Sequence, residues 1–240
     1  MVSEDNKYLL SVQNVGATVD DHGRVVLVTE DLRNGNGRAI KSKLWSPNRV
    51  DKIDEPINAI FWLMKDPALP PILKVKGPVL SSVMGAALAT KRTTAERLAP
   101  GVDPDALVFE SYANPFRTYP LVNDYEKFKQ LFAERNVDCY VLNTGFLMEK
   151  KIPKEVTLSC IEAVVEGTAD FHPWGNFSDL EIMEMEGFVP DMNDVEYKST
   201  LLARLNDRLK FVVSRDTEKG GYDKLPKEAK QALKKLVTEI

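Results

Sequence analysis

The first apolar stretches of the chain are short, rich in β-branched residues and separated by turn residues. Ala17-Thr18-Val19 and Arg24-Val25-Val26-Leu27-Val28-Thr29 flank Asp20-Asp21-His22-Gly23, which predicts an antiparallel hairpin. Asn34-Gly35-Asn36-Gly37 marks a second sharp turn, because Asn and Gly tolerate positive φ. The alternating run Arg38-Ala39-Ile40-Lys41-Ser42-Lys43-Leu44-Trp45 follows, placing Arg38 at the mouth of a turn entering a strand. Ile57-Asn58-Ala59-Ile60-Phe61-Trp62-Leu63-Met64 is nearly continuously apolar and stops at Lys65-Asp66-Pro67. That is the pattern of a strand covered on both faces, with a buried helix as the competing reading.

Helical spacing dominates later segments. Pro78 to Arg97 is rich in Ala and Leu and reads as a helix covering the sheet, with Gly85 as a close-packing point. Asn123 is a good N-cap for the helix that follows, in which Tyr125, Phe128, Leu131 and Phe132 share one face. The strand Cys139-Tyr140-Val141-Leu142-Asn143 comes next, then a turn at Thr144-Gly145, then a helix opened by Pro153 and running to about Gly167. Beyond it, His172-Pro173-Trp174-Gly175 reads as a loop, Asp179 to Asp194 is acidic, and Glu196 to Val213 and Lys224 to Ile240 read as amphipathic helices. The alternation of strand and helix predicts an α/β sheet, whose ligands gather where strands end in loops, here at Asn143-Thr144-Gly145. With no repeat and no flexible linker, a single unit over 1–240 is expected: a hairpin region 10–50, an α/β core 55–170 and a C-terminal helical segment 195–240.

Composition narrows the function classes. The 240 residues are 43% hydrophobic and 28% charged, which excludes collagen-like, low-complexity and wholly disordered chains. A net charge of −4 offers no basic excess, so neither nucleic acid nor an acidic membrane surface is expected as a partner. Cys139 and Cys160 lie in apolar runs and read as buried reduced thiols. With no apolar stretch approaching ~18 residues and a polar start at Met1-Val2-Ser3-Glu4-Asp5, a cytoplasmic location is expected. Asn176-Phe177-Ser178 matches a glycosylation sequon by chance on this reading.

Motif chemistry is sparse. A phosphate-cradling loop needs a Gly-Lys pair, and the sequence has none. The histidines, His22 and His172, stand apart from any HExxH or Cys-x-x-Cys context, and there is no Gly-x-Ser-x-Gly elbow. The acidic run Asp179-Leu180-Glu181-Ile182-Met183-Glu184-Met185-Glu186 could offer oxygen ligands to Mg²⁺, but the reading as a solvated helix face outweighs it. Arg38 could grip a phosphate or carboxylate through its planar fork, against the plainer reading of an exposed hairpin arginine. Lys151 could neutralise a nucleotide phosphate or simply be hydrated, and Thr144 and Thr157 have ordinary roles as turn and helix hydroxyls. Composition and spacing therefore stop at a soluble α/β domain.

Laid end to end, these segments resemble the C-terminal half of ATP-type phosphoenolpyruvate carboxykinase, from about residue 10 to about residue 190. Asn36-Gly37-Arg38 is similar to that family's Asn-Thr-Arg segment, and Asp66 with Leu69-Pro70-Pro71 to its Asp and Leu-Pro-Pro. Thr90-Lys91-Arg92-Thr93-Thr94-Ala95-Glu96-Arg97 is similar to its Thr-Ala-Lys and Thr-Glu-Arg. Asn114-Pro115-Phe116, Tyr119-Pro120 and Tyr125 follow its Phe-Gly-x-x-Phe, His-Pro and Tyr, with Tyr119 in place of the histidine. Tyr140-Val141-Leu142-Asn143-Thr144-Gly145-Phe146 is close to its Tyr-Leu-Val-Asn-Thr-Gly-Trp. Lys151-Ile152, Thr157 and Ile161-Glu162-Ala163 match its Arg-Ile, Thr and Ile-Asp-Ala at equal spacing.

The resemblance implies a mixed sheet with flanking helices, like that family's nucleotide-binding lobe. It also implies the conversion of oxaloacetate and ATP to phosphoenolpyruvate, carbon dioxide and ADP, with Mg²⁺ or Mn²⁺ in the complete protein. Arg38 would contact the substrate and the transferring phosphoryl group, and Lys151, Ile152 and Thr157 the nucleotide. Arg97, Asn143 and Thr144, within matched motifs, complete the candidate set. Lysine in place of arginine at 151 keeps the charge and loses planar stacking on a base. The family's phosphate loop and its metal-binding Lys, His and Asp precede the matched segment. The chain is thus expected to be a fragment, inactive alone and without metal ligands of its own, whose partners are a nucleotide, a small carboxylate and the missing N-terminal portion. The alternative is a non-catalytic relative that binds a nucleotide or a protein.

Overall fold

A computed structural model describes residues 12–13, 17–27, 38–39, 53–91, 100–103, 106–115 and 117–240. Its strands are β1 Val12–Gln13, β2 Ala17–Val19, β3 Val25–Leu27, β4 Arg38–Ala39, β5 Ala59–Met64, β6 Ile72–Val75, β7 Ala89–Lys91, β8 Leu107–Phe109, β9 Asp138–Asn143, β10 Phe146–Leu147, β11 Lys150–Lys151, β12 His172–Pro173 and β13 Leu180–Ile182. Its helices are α1 Pro78–Ala86, α2 Leu121–Glu134, α3 Lys154–Glu166, α4 Val195–Ser214 and α5 Lys227–Thr238. By contacts the chain divides into two units, residues 1–56 with 92–106, and 57–91 with 107–240.

In the first unit the expected hairpin forms, with Ala17 opposite Leu27 and Val19 opposite Val25. Its turn is built by Asp20, whose carboxylate accepts the backbone N–H groups of His22 and Arg24, each at 2.9 Å, while Gly23 supplies a φ of 77°. Bonds from the Arg24 amide and guanidinium hold Asp20 below the usual carboxylate range. β1 pairs antiparallel with β4, Gln13 opposite Arg38. The Asn34–Gly37 turn and the continuation of the Arg38 strand through Trp45 lie outside the described residues.

The second unit is α/β. Its mixed five-stranded sheet runs β12-β13-β6-β9-β5, with β5 parallel to β9 and the other neighbours antiparallel. Alternation along the strands sorts the side chains between two cores. Trp62, Met64, Leu73, Val75, Cys139 and Val141 enter the larger core together with α1, α2, α4 and α5. Ile72, Tyr140 and Leu142 turn to the opposite face, where Cys160 of α3 is buried. Burial pushes the Cys139 thiol up to about 12 and the Cys160 thiol up to about 11, so both stay protonated at neutral pH.

Five expectations change. The run containing β5 is a strand, but it lies at the sheet edge with Leu63 55% exposed, so only one of its faces is fully covered. The helix expected to reach Arg97 ends at Ala86. There the Leu88 carbonyl accepts Glu110 N–H at 2.9 Å and the Ala89 carbonyl accepts Lys65 N–H at 3.0 Å, so strand pairing overrides the local Ala preference. α2 starts at Leu121 rather than after Asn123, because Asp223 Oδ1 caps it from a distance by accepting Leu121 N–H at 3.0 Å. His172–Pro173 is a strand rather than a loop, and the acidic run contains β13 rather than a helix face. Its carboxylates are dispersed: Asp179 pairs with Lys235, Glu181 with Lys76 and Glu184 with His172. No helix among the described residues is long and apolar enough to cross a membrane.

Candidate functional site

The site grows from the C-terminal end of β9. Asn143 is fully buried, and its amide nitrogen lies 2.8 Å from Asp66 O, 2.6 Å from Leu69 O and 2.9 Å from Phe146 O as donor, while its Oδ1 accepts Gly145 N–H at 3.0 Å. One side chain thus ties the Asp66–Leu69 turn to Gly145 and Phe146, and Asn143 acts as a strut behind the turn. Thr144 is anchored through its N–H to Met64 O at 2.9 Å. A Cβ on Gly145 would stand 3.2 Å from Lys65 Cα, so a side chain there would press the turn off β5.

Beyond the turn, β10 and β11 form a small hairpin with Phe146 opposite Lys151, closed by Ile152 N–H to Gly145 O at 2.9 Å. Pro153 then sets the entry to α3, which ends at Gly167 in the left-handed region with φ 70°. Thr157 N–H reaches Pro153 O at 3.3 Å, so the amides of Lys154, Glu155 and Val156 precede the helical ladder and remain available at the positive end of the helix dipole.

Thr144, Lys151, Ile152, Pro153, Thr157 and Leu158 line one cleft of about 650 Å³ at this helix start. Ile152 is buried and forms its floor, while Leu158 at the rim is 53% exposed. Thr157 Oγ1 lies 3.5 Å from Pro153 O, too far to commit the hydroxyl firmly. The two lysines of β11 differ. Lys150 Nζ donates to Gly187 O at 2.7 Å and lies 4.4 Å from the Phe188 ring centre, whereas Lys151 is exposed and has no polar partner among the described residues. A second concavity, of about 600 Å³, is also rich in cations. There Arg204 pairs with Asp207, Arg208 with Asp66 and Arg215 with Glu218, so each guanidinium is already matched by a carboxylate.

Of the residues singled out from sequence, Thr144, Lys151, Ile152 and Thr157 are brought together, and Asn143 supports them from behind. Arg38 belongs to β4 of the first unit, its side chain lying outside the described residues, as does Arg97 altogether. Lys154 and Glu155 also line the cleft, 3.8 Å apart and exposed; their place in the first turn after Pro153 was the available signal. Tyr119, standing where the resemblance has histidine, donates its hydroxyl to Asp124 at 3.0 Å. Among the described residues no three His, Cys, Asp or Glu side chains converge as an all-protein metal site would require. Neither a protein-family model nor a curated protein matches the chain.

Proposed function

We propose that this chain supplies the nucleotide side of a phosphoenolpyruvate carboxykinase-like protein, with the cleft at the start of α3 as its nucleotide pocket. The observation that carries the proposal is the convergence of Thr144, Lys151, Ile152 and Thr157 around that cleft. Three features suit a nucleotide. The Lys151 ammonium and the amides of the first α3 turn, without partners among the described residues, attract phosphate oxygens. Ile152, Pro153 and Leu158 offer an apolar surface to a base. The cleft stands at the C-terminal end of β9, where it runs parallel to β5, the end at which ligands of such sheets collect.

On this reading the phosphate loop and the metal ligands come from polypeptide outside residues 1–240, and Arg38 of that complete protein stabilises the transferring phosphoryl group. A non-catalytic nucleotide-binding relative is the second reading, favoured by Lys151 and by the engagement of Tyr119 with Asp124. Calorimetric titration of ATP with Mn²⁺ into the 240-residue chain tests the pocket. Saturable binding is expected, weakened about tenfold by Lys151→Ala, in line with the loss of one charge-assisted contact. Absence of saturable binding, or equal affinity of the variant, would overturn it. Turnover of oxaloacetate and ATP by the longer protein, lost in Arg38→Ala, separates the catalytic reading from the non-catalytic one.

A further inference from the structure

The two edges of the five-stranded sheet are unlike. At one, β12 has two residues, one of them Pro173, which has no N–H to donate. At the other, β5 is the six-residue run Ala-Ile-Phe-Trp-Leu-Met, without proline or charge. Two bonds to β9 decide which backbone groups of β5 point outward: Asn58 O accepts Asp138 N–H at 2.9 Å, and Met64 O accepts Thr144 N–H at 2.9 Å. In a strand the N–H and C=O of one residue share a side and successive residues alternate. Even-numbered residues therefore face β9, and Ala59, Phe61 and Leu63 face away. Lys65 keeps the same parity, donating its N–H outward to Ala89 O at 3.0 Å. The outward N–H and C=O groups of Ala59, Phe61 and Leu63 have no partner among the described residues.

We infer that β5 is a self-association edge, pairing antiparallel with β5 of a second copy of this chain about a two-fold axis at Phe61. The argument for a second copy is self-complementarity. With Phe61 opposite Phe61, Ala59 of each copy stands opposite Leu63 of the other. All three pairs are then of the hydrogen-bonded kind, so every outward N–H meets an outward C=O and none is left over. The small Ala59 side chain sits beside the larger Leu63, which is 55% exposed in the single chain. A parallel pair in register would instead require the backbone groups of Ile60 and Trp62, which β9 already holds. The pairing joins both sheets into one continuous sheet and involves none of the residues that line the cleft.

Sedimentation equilibrium of the 240-residue chain tests this directly. The expected result is a concentration-dependent approach to twice the 27.0 kDa of one chain. Leu63→Lys, a charge on an accessible edge position, is expected to give a monomer with unchanged circular dichroism. Val165→Lys, on a side chain of α3 that is 76% exposed, is expected to leave the dimer intact. Should Leu63→Lys fail to fold, amide exchange of the wild-type chain decides: protection of the Ala59, Phe61 and Leu63 amides is expected to rise with concentration, about tenfold or more. A monomer at every concentration up to the solubility limit overturns the inference. So does open-ended aggregation, a dimer that Leu63→Lys leaves untouched, or exchange at those three amides that does not respond to concentration.

Discussion

Arg208 and Asp66 are fully buried, with Arg208 Nη2 2.6 Å from Asp66 Oδ2. Asp66 Oδ1 accepts Ala68 N–H at 3.0 Å, and Arg208 Nη2 also touches Met64 Sδ at 3.4 Å, but Arg208 Nε has no hydrogen-bond partner among the described residues. Removing two charges from water costs several kcal/mol each, and an under-bonded pair recovers that cost incompletely. Breaking the pair is worse than lacking it, because one bare charge stays buried. Arg208→Met is therefore expected to lower stability by about 3–5 kcal/mol in urea denaturation, and adding Asp66→Asn to restore much of the loss. Asp223 is a different case. Its carboxylate takes Arg117 in a two-point contact at 2.6 and 3.0 Å while capping α2. The Arg117 guanidinium holds its pKa below the usual carboxylate range. A depressed folded-state pKa stabilises the fold fully above the unfolded value of about 4 and loses that contribution as pH falls through the folded one. Asp223→Asn is expected to cost about 3 kcal/mol at pH 7, with the gap between variant and wild type narrowing below about pH 4 in denaturation midpoints.

At the scale of elements, α1 and its neighbours set local preference against packing. Alanine in place of Gly85 would favour the helix by about 1 kcal/mol. A Cβ at that position, however, would stand 2.7 Å from Trp62 Cζ2 and 2.8 Å from Tyr112 Cε1. Both rings belong to one aromatic cluster, with Phe128 4.9 Å from Trp62 and 4.8 Å from Tyr112 between ring centres. The rings cannot yield freely, so Gly85→Ala is expected to destabilise by about 1–3 kcal/mol, read as a lower thermal midpoint. The role of Gly85 was legible in the sequence, as were the hairpin at Asp20, the strand ending at Asn143 and the helix opened by Pro153. The last three depend on residues close along the chain, whereas the rings that Gly85 meets, Trp62 and Tyr112, are distant in sequence. The start of α2 was not, because its cap lies 102 residues away at Asp223. The end of α1 was not either, because strand bonds from Glu110 and Lys65 outcompete a run of alanines.

Across the whole molecule, legibility follows the same rule of distance. The cleft could be read because Thr144, Lys151, Ile152 and Thr157 fall within one turn, hairpin and helix start. The strut behind it could not, because Asn143 bonds to Asp66 O from 77 residues away. Nor could the position of β5 at an open edge, since a run of apolar residues reads alike whether one neighbour or two flank it. The β7–β8 ladder has a further consequence. Lys91 stands opposite Leu107 and Ala89 opposite Phe109, so the chain leaves the larger unit and returns to it through a single antiparallel doorway. A doorway of that kind makes the intervening stretch a cassette. A two-residue Asn-Gly turn set directly between Thr90 and Val108, the ladder pair whose backbone groups face each other, could close β7 onto β8 without altering the register of either strand, and loops of other lengths could be grafted there with the cleft and the cores of the larger unit left as they stand.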